Sequence, residues 1–203
     1  MAAKSKAKSP AKKVTSIAPL KERAVKAALD LSSRMGWDMV TLTDIADECH
    51  ATLAELSGVF DDKGDILNAY GRMLDKKTLE RFGEADPSMP ERDRLFDIIM
   101  ERFDILNEDR AAIQSVLKSF TTDPKQAIIS LPHLGRSMAW MLEAAGMDTN
   151  GMRGAIKIAG LTGVYIYALK AWMEDESQDL AKTMGALDRG LNRAEQAANT
   201  FML

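Results

Sequence analysis

The stretch VTLTDIADECHATLAELSGVFDDKGDIL, residues 40–67, decides the fold. It contains two short helical segments, TDIADEC and LAELSGVF, which are separated by a tight break at residues 50–52. We expect Thr43 to cap the first segment, because a threonine side chain satisfies the free N–H groups of a helix start. The following DDKGD predicts a turn, in which Asp61 or Asp62 caps the next helix.

Apolar spacing predicts further helices on both sides of this pair. From Pro19, apolar residues recur three or four apart until Gly36, which we expect to end the first helix. A fourth helix is predicted over residues 64–82. The small core expected between these helices contains Ala27, Leu31, Ile45, Ala46, Leu53, Leu56, Phe60 and Leu67. Such a helix pair fits a DNA major groove, although unrelated three-helix clusters share the pattern.

The rest of the chain is predicted to be helical as well. No stretch alternates with period two over a useful length, so we expect an all-α fold without a sheet. GEADPSMP, residues 83–90, is typical of a linker because it holds two prolines and a glycine. We divide the chain into a disordered basic tail (1–17), a helix-turn-helix domain (18–67) and a helical ligand-binding and dimerisation domain (83–203), connected by the helix at 64–82.

Charge is distributed unevenly along the chain. The net charge is −3 at pH 7, yet residues 1–17 contain five lysines and no acid, so that the tail carries +5 and the remainder −8. The lysines are Lys4, Lys6, Lys8, Lys12 and Lys13. The tail has too few large apolar residues to offset the entropy of ordering. It is either a solubilising segment or an arm whose lysines bind phosphate groups.

Composition argues against catalysis and metal binding. The 203 residues include one cysteine, Cys49, and two histidines, His50 and His133. Few residues are therefore available for a metal site or for a catalytic cysteine–histidine pair. No predicted strand precedes a glycine-rich loop that could bind phosphate. We expect no enzyme activity and no cofactor. No apolar run approaches the ~18 residues that a transmembrane helix needs, and no signal peptide is evident, so we predict a cytoplasmic protein.

From Lys21 to Leu67 the chain resembles the N-terminal domain of the TetR family of transcriptional regulators. The order and spacing match without gaps at the helix-one alanines, Gly36, Thr43, Ile45, Ala46, Leu56, Phe60, Lys63, Ile66 and Leu67. The length, the linker position and the helical second domain match as well. The resemblance implies a TetR-like fold and a homodimer that binds double-stranded operator DNA and a small apolar ligand.

The chain departs from the family at the DNA-reading positions. His50 replaces the usual glycine of the turn, and Ser57 and Val59 stand where tyrosine and histidine are common. The recognition helix has a single charge, Glu55; phosphate repels an acid, although glutamate accepts from a cytosine amine. The resemblance leaves as candidate DNA-binding residues Thr43, Thr52, Glu55, Ser57 and Lys63.

Residues 164–191, VYIYALKAWMEDESQDLAKTMGALDRGL, carry a second resemblance. They resemble the end of the lipid-binding accessory proteins of ubiquinone biosynthesis, which share the TetR fold but are not known as repressors. The shared residues are Tyr165, Trp172, Asp175, Ser177, Asp179, Thr183, Leu187, Asp188 and Arg189. Helix capping by Ser177, with acids in the first turn, is also a sufficient explanation of the polar ones.

The second domain has a methionine-rich interior. The chain contains thirteen methionines, which adapt to irregular volumes and suit a pocket for an apolar ligand, although an ordinary core contains methionine too. The expected pocket lining is Phe96, Met100, Phe103, Leu134, Met138, Met141, Leu161 and Tyr165. His133, which follows Pro132, is either a polar contact to the ligand or a structural histidine.

An apolar stripe near the end of the chain predicts a dimer interface. Its members recur at helical spacing and are Leu180, Met184, Leu187 and Leu191. Gly154, Gly160 and Gly163 allow close approach on the preceding helix. Two such helices from each subunit form a four-helix bundle, and the two-fold axis places two recognition helices about one DNA turn (~34 Å) apart.

Two hypotheses of function follow. In the first, the chain is a ligand-responsive regulator whose bound ligand shifts the spacing of the DNA-reading helices. In the second, it is a lipid or isoprenoid carrier without specific DNA binding, and the lysine tail contacts anionic lipid. The recognition helix discriminates between them, and we favour the regulator because the rest of the pattern fits it.

Overall fold

The computed structural model describes residues 17–122 and 124–201. In these ranges the chain forms nine α-helices, one 3-10 turn (Trp37–Met39) and no strand, so the predicted all-α fold class is confirmed. The helices are α1 (Ile17–Met35), α2 (Leu42–Glu48), α3 (Leu53–Ser57), α4 (Lys63–Phe82), α5 (Glu91–Glu108), α6 (Arg110–Thr122), α7 (Pro124–Ala144), α8 (Gly151–Met173) and α9 (Ala181–Phe201). The predicted disordered tail lies, except for its last residue, outside the described residues.

The N-terminal head, which comprises α1, α2, α3 and the start of α4, has a core of its own. Ile45, Leu56 and Phe60 are buried against the alanines of α1. Leu53, predicted to join this core, is 49% exposed, because α3 has only five residues and Leu56 takes its single buried position. Val116 of α6 completes the core, so the head is packed against the body.

Two capping boxes fix the starts of α2 and α3. Thr41, and not Thr43 as predicted, caps α2: its Oγ1 accepts from the Asp44 N–H at 3.1 Å, and the Asp44 carboxylate accepts from the Thr41 N–H at 2.9 Å. Thr52 and Glu55 form the same box at α3. The box requires an acid three residues after the cap, and Thr43 has an alanine there.

The turn between α2 and α3 holds His50 in the left-handed region, with a φ of 53°. This conformation is strained for a residue with a Cβ atom and free for glycine. We therefore expect H50G to raise the free energy of unfolding by about 0.5–1 kcal/mol in urea denaturation. Ala51→Gly, at the neighbouring residue without a positive φ, is the control and should destabilise. An H50G variant no more stable than the natural chain would contradict this account of the turn.

The body comprises α5 to α9 and the second half of α4, around one large core. Phe103 and Trp172 are fully buried there, and Phe103 stacks on Tyr165 with ring centroids 5.0 Å apart. Helix α9 lies along α8 and also contacts α5. One buried cluster belongs to the head and the other to the body. The predicted end of the helix-turn-helix domain at residue 67 stays a prediction.

The predicted dimer stripe requires a correction. Leu180, Leu187 and Leu191 are 1%, 0% and 5% exposed within the single chain, and only Met184, at 41%, remains accessible. The stripe faces inward because α9 packs its apolar side onto α8 and α5 of the same chain. Helical spacing identifies an apolar face, but it does not show whether the neighbour comes from the same chain or a partner.

Candidate nucleic-acid interface and ligand cavity

The candidate DNA-binding residues of α3 bond to one another or to their own helix. The Glu55 carboxylate accepts from the Thr52 N–H at 2.9 Å and from the Thr52 hydroxyl at 2.8 Å. The Ser57 hydroxyl donates to the Ala54 carbonyl at 3.0 Å. Thr43 is exposed in the first turn of α2. The positive start of α3 therefore already has a carboxylate beside it, which reduces its attraction for phosphate.

Lys63 lies at the start of α4 and binds the head. Its Nζ donates to the Trp37 carbonyl at 2.8 Å and to the Val40 carbonyl at 2.9 Å, and it lies 4.5 Å from the centre of the Trp37 ring. Burial lowers the pKa of Lys63, opposed by the charge of Asp38. This candidate DNA-binding side chain thus holds α4 against the 3-10 turn.

The charge of the helix-turn-helix is negative. Residues 42–62 contain no lysine or arginine and six acids: Asp44, Asp47, Glu48, Glu55, Asp61 and Asp62. Phosphate contacts are normally made by lysine and arginine, so this stretch contributes no cation to DNA binding.

Positive charge reaches the helix-turn-helix from α1. The Arg23 Nε donates to the Cys49 carbonyl at 3.2 Å, and the Lys21 Nζ lies 5.9 Å from the centre of the Phe60 ring. These contacts place one cation beside the turn between α2 and α3 and a second cation beside Phe60, which follows α3. The lysines of residues 4–13 directly precede them in sequence. Sequence analysis missed both residues because they lie some 25 to 40 positions from their neighbours in the fold.

The start of α3 also presents apolar side chains. Leu53 is 49% exposed, and Ala54 beside it is exposed. Apolar side chains in the major groove contact the methyl group of thymine. Leu53 and Ala54 therefore join Ser57 as exposed side chains of α3.

The body contains a cavity of about 370 Å³ between α4, α5, α6, α7 and α8. Of the eight residues predicted to line a pocket, Leu134 and Tyr165 line this one. The others belong to the solid core or pack against it: Phe96, Met100, Phe103, Met138, Met141 and Leu161. The methionines of α7 fill the interior instead of bordering a void. A groove of about 660 Å³ between α1, α4 and α5 is lined largely by charged side chains and suits an apolar ligand less well.

A buried polar cluster forms one wall of the cavity. The Arg102 guanidinium donates to the Asp75 carboxylate, and the Ser137 hydroxyl donates to the same carboxylate at 2.7 Å. The guanidinium carbon of Arg102 lies 5.5 Å from the centre of the Tyr165 ring. Sequence analysis did not identify Arg102, because nothing in the local pattern distinguishes it from its exposed neighbours.

His133 borders the same cavity. Its Nδ1 lies 2.7 Å from a terminal nitrogen of the Arg136 guanidinium. Burial lowers the pKa of His133, and the charges of Arg136 and Arg72 lower it further. A neutral imidazole next to an arginine is consistent with the predicted polar contact to a ligand.

Three polar residues of the second resemblance, Asp175, Ser177 and Thr183, meet at the junction of α8 and α9. Asp175 is 1% exposed and accepts from the N–H and hydroxyl of Thr183, each at 2.8 Å, and from the Ser177 N–H at 3.1 Å. The Ser177 hydroxyl accepts from the Ala181 N–H at 2.9 Å. This capping network accounts for Asp175, Ser177 and Thr183 as structural residues, and the relationship to the ubiquinone accessory proteins stays a prediction.

Sequence analysis found little material for a nucleophilic cysteine or a metal site, and the structure describes the environment of both kinds of residue. Cys49 is buried, and burial raises the pKa of its thiol, which makes a poor nucleophile. No cluster of three or more metal-ligating side chains occurs among the described residues. None of the helices described is long and apolar enough to cross a membrane.

The structure is similar to solved TetR-family regulators. A TetR transcriptional regulator from Nitrosomonas europaea superposes with a TM-score of 0.70 at 26% identity, over 88% of this chain and 99% of that chain. One from Rhodococcus sp. RHA1 gives 0.64 at 13% identity, over 87% and 96%. FadR of Thermus thermophilus, a TetR-family transcriptional repressor in complex with lauroyl-CoA, gives 0.50 at 19% identity, over 86% and 94%.

The sequence matches no protein-family model, and no curated protein matches it. The structural comparisons nevertheless confirm the resemblance to the TetR family that the sequence predicted. The chain has the TetR fold along most of its length, with a helix-turn-helix head and a helical body.

Proposed function

We propose that the chain is a ligand-responsive transcriptional regulator of the TetR type, which acts as a cytoplasmic homodimer. The observation that supports this proposal is the attachment of a helix-turn-helix head with its own core to a body that contains a cavity. The similar solved structures include transcriptional regulators of the TetR family, one of them in complex with lauroyl-CoA.

DNA recognition is divided between two parts of the head. Leu53, Ala54 and Ser57, which are exposed on α3, are the side chains that would contact base edges. Lys21 and Arg23, together with the lysines of residues 4–13, provide the contacts to phosphate that α2 and α3 lack. Because the positive charge lies outside the helix pair, affinity depends on the tail and specificity on α3.

Helix α6 couples the cavity to the head. Ile113, Leu117 and Phe120 on this helix line the cavity. On its other side the Ser115 hydroxyl accepts from the Trp37 N–H at 2.8 Å, and the Ala112 carbonyl accepts from the Ser32 hydroxyl at 3.1 Å. A ligand that favours a different position of α6 therefore changes the orientation of the head relative to its dimer partner.

The dimer interface lies on α8 in this proposal. The helix exposes an apolar face whose members are Met152 at 82%, Ile156 at 61%, Ile166 at 43% and Tyr167 at 41%. Gly160 and Gly163 lie exposed between them and permit close approach of a second helix. An apolar face of this length is typical of an interface between subunits.

We expect Ile156→Glu to convert the dimer to a monomer at micromolar concentration, because the interface would then bury an unpaired carboxylate. Sedimentation velocity measures the change. Ile128→Glu, on α7 and 68% exposed, is the matched control and should leave the dimer intact. A natural chain that sediments as a monomer, or an I156E variant that remains dimeric, would contradict this interface.

Selection from a pool of random duplexes tests DNA recognition without knowledge of the operator. The natural chain is expected to enrich an inverted repeat with half-site centres about one helical turn (~34 Å) apart. Leu53→Ala/Ser57→Ala should change or abolish the enriched sequence, while the control Ser33→Ala, exposed near the end of α1, should not. If no sequence is enriched by any of the three proteins, the regulator proposal fails.

A second candidate function is a TetR-fold lipid-binding accessory protein without specific DNA binding. The observation that favours it is the six acids, without any lysine or arginine, in residues 42–62. Under this proposal the chain binds vesicles of anionic lipid through its lysine tail. Deletion of residues 1–16 would then abolish vesicle binding, and the residual DNA binding would be non-selective and equally dependent on the tail.

A further inference from the structure

The cavity of the body carries an excess of positive charge. Its lining contains three arginines, Arg72, Arg102 and Arg136, and a single acid, Asp75. Asp75 is fully engaged, since Arg102 and Ser137 both donate to its carboxylate. The polar end of the cavity therefore has a net charge of about +2, with no acid of the lining left to balance it.

The two outer arginines are available to a ligand. Arg72 on α4 and Arg136 on α7 are exposed, and neither forms an ion pair with an acid within the part of the chain that the structure describes. Arg136 lies against the imidazole of His133, which is itself part of the lining. Arginine binds carboxylate and phosphate oxygens through two parallel hydrogen bonds, so an arginine pair without acids suits an anion.

Arg102 belongs to the wall of the cavity and carries one of its three positive charges. It is 3% exposed, and its Nε–H has no hydrogen-bond acceptor among the described residues. Because this nitrogen is buried from the cavity as well as from bulk solvent, the donors that a ligand can reach are those of Arg72 and Arg136.

The side of the cavity formed by α5, α6 and α8 is largely apolar. Leu106, Ile113, Leu117, Phe120 and Leu169 border the cavity on the side of α5, α6 and α8. A volume of about 370 Å³ lies within the range of sites that enclose small molecules. The cavity thus combines an apolar body with a cationic end.

We propose that the cavity binds an anionic amphiphile, with its hydrocarbon chain against the apolar side chains of α5, α6 and α8 and its acidic head at Arg72 and Arg136. The inference deepens the proposed function, because it names the chemical class of the effector, and its regulatory role rests on that function. Binding itself does not depend on whether the head recognises DNA.

Calorimetric titration of the full chain with four decyl compounds below their micelle concentrations tests the proposal. Decanoate and decyl phosphate carry an acidic head, decanol is neutral, and decyltrimethylammonium is cationic. We expect decanoate, decyl phosphate or both to bind at least tenfold tighter than decanol, and the cation to bind most weakly. The tighter of the two anions identifies the head as carboxylate or phosphate.

Variants separate the arginines from general effects. R72Q/R136Q should lose at least tenfold in affinity for the anions and keep its affinity for decanol. R189Q/R193Q on α9, which removes two exposed arginines outside the cavity lining, should bind like the natural chain. The proposal is overturned if decanol or the cation binds as tightly as the anions, if no decyl compound binds, or if the two double variants behave alike. Anion binding without any enriched DNA sequence would sustain this inference while the regulator proposal fails.

Discussion

Asp75→Ala is expected to lower the free energy of unfolding by about 3–5 kcal/mol, the typical effect of leaving one charge of a buried ion pair without its partner. Arg102 is 3% exposed and Asp75 is 8% exposed, so the pair is largely shielded from water. The variant also deprives the Ser137 hydroxyl of its acceptor. Urea denaturation measures the loss of stability. An unchanged dependence of the free energy of unfolding on urea concentration checks that the transition remains two-state.

The double variant D75L/R102M separates charge from packing. It removes both charges and keeps apolar volume, so we expect it to recover most of the stability that D75A loses. Glu80→Ala is the surface control: its pairing with Lys76 spans 3.6 Å with both side chains mostly exposed, and its loss should cost at most about 0.5 kcal/mol. A D75A variant that costs as little as E80A would show that the pair is not buried in solution.

Asp175→Asn is expected to lower the free energy of unfolding by about 2.5 kcal/mol at pH 7, with a dependence on pH that identifies the carboxylate. Burial by itself raises the pKa of Asp175, but hydrogen bonds from Ser177 and Thr183 outweigh it and lower the pKa from 3.8 to about 2. Asparagine keeps the shape and removes the charge that these donors stabilise.

The direction of the pH dependence follows from the lowered pKa. The folded state holds the carboxylate ionised at a pH where the unfolded chain protonates it, so its contribution is complete above about pH 5 and is lost as the pH falls towards 2. The difference in stability between the natural chain and D175N should therefore be largest at neutral pH and vanish near pH 2. Asp179→Asn, an exposed residue of the same loop, is the control. A difference that does not change with pH would assign the effect to packing.

Local patterns predicted the helices well. Gly36 ends α1 with a φ of 89°, Asp62 caps α4, and the linker over residues 83–90 separates α4 from α5. These features depend on a few neighbouring residues, and the capping and turn preferences of those residue types are known. The one misplaced cap, Thr43 in place of Thr41, came from overlooking Asp44 as the partner that completes a capping box.

Contacts between distant helices could not be predicted in the same way. The apolar stripe of α9 indicated a buried face, and it is buried, but against α8 and α5 of its own chain. Asp75 and Arg102 lie 27 residues apart, and nothing in either helix marks them as partners. Lys63 matched a family position, yet its Nζ is held by two carbonyls of the head. Periodicity gives the direction of a side chain relative to its helix and leaves its neighbour undetermined.

The proposed function requires the head to recognise a particular DNA sequence. The most direct test is the ratio of two dissociation constants, for the DNA upstream of the chain's own gene and for a scrambled duplex of equal length, measured by fluorescence anisotropy at about 0.15 M salt. A regulator of this type is expected to prefer its site by about 10³-fold or more. A ratio near one, with binding that disappears when residues 1–16 are deleted, would contradict the claim and favour the lipid-binding accessory protein.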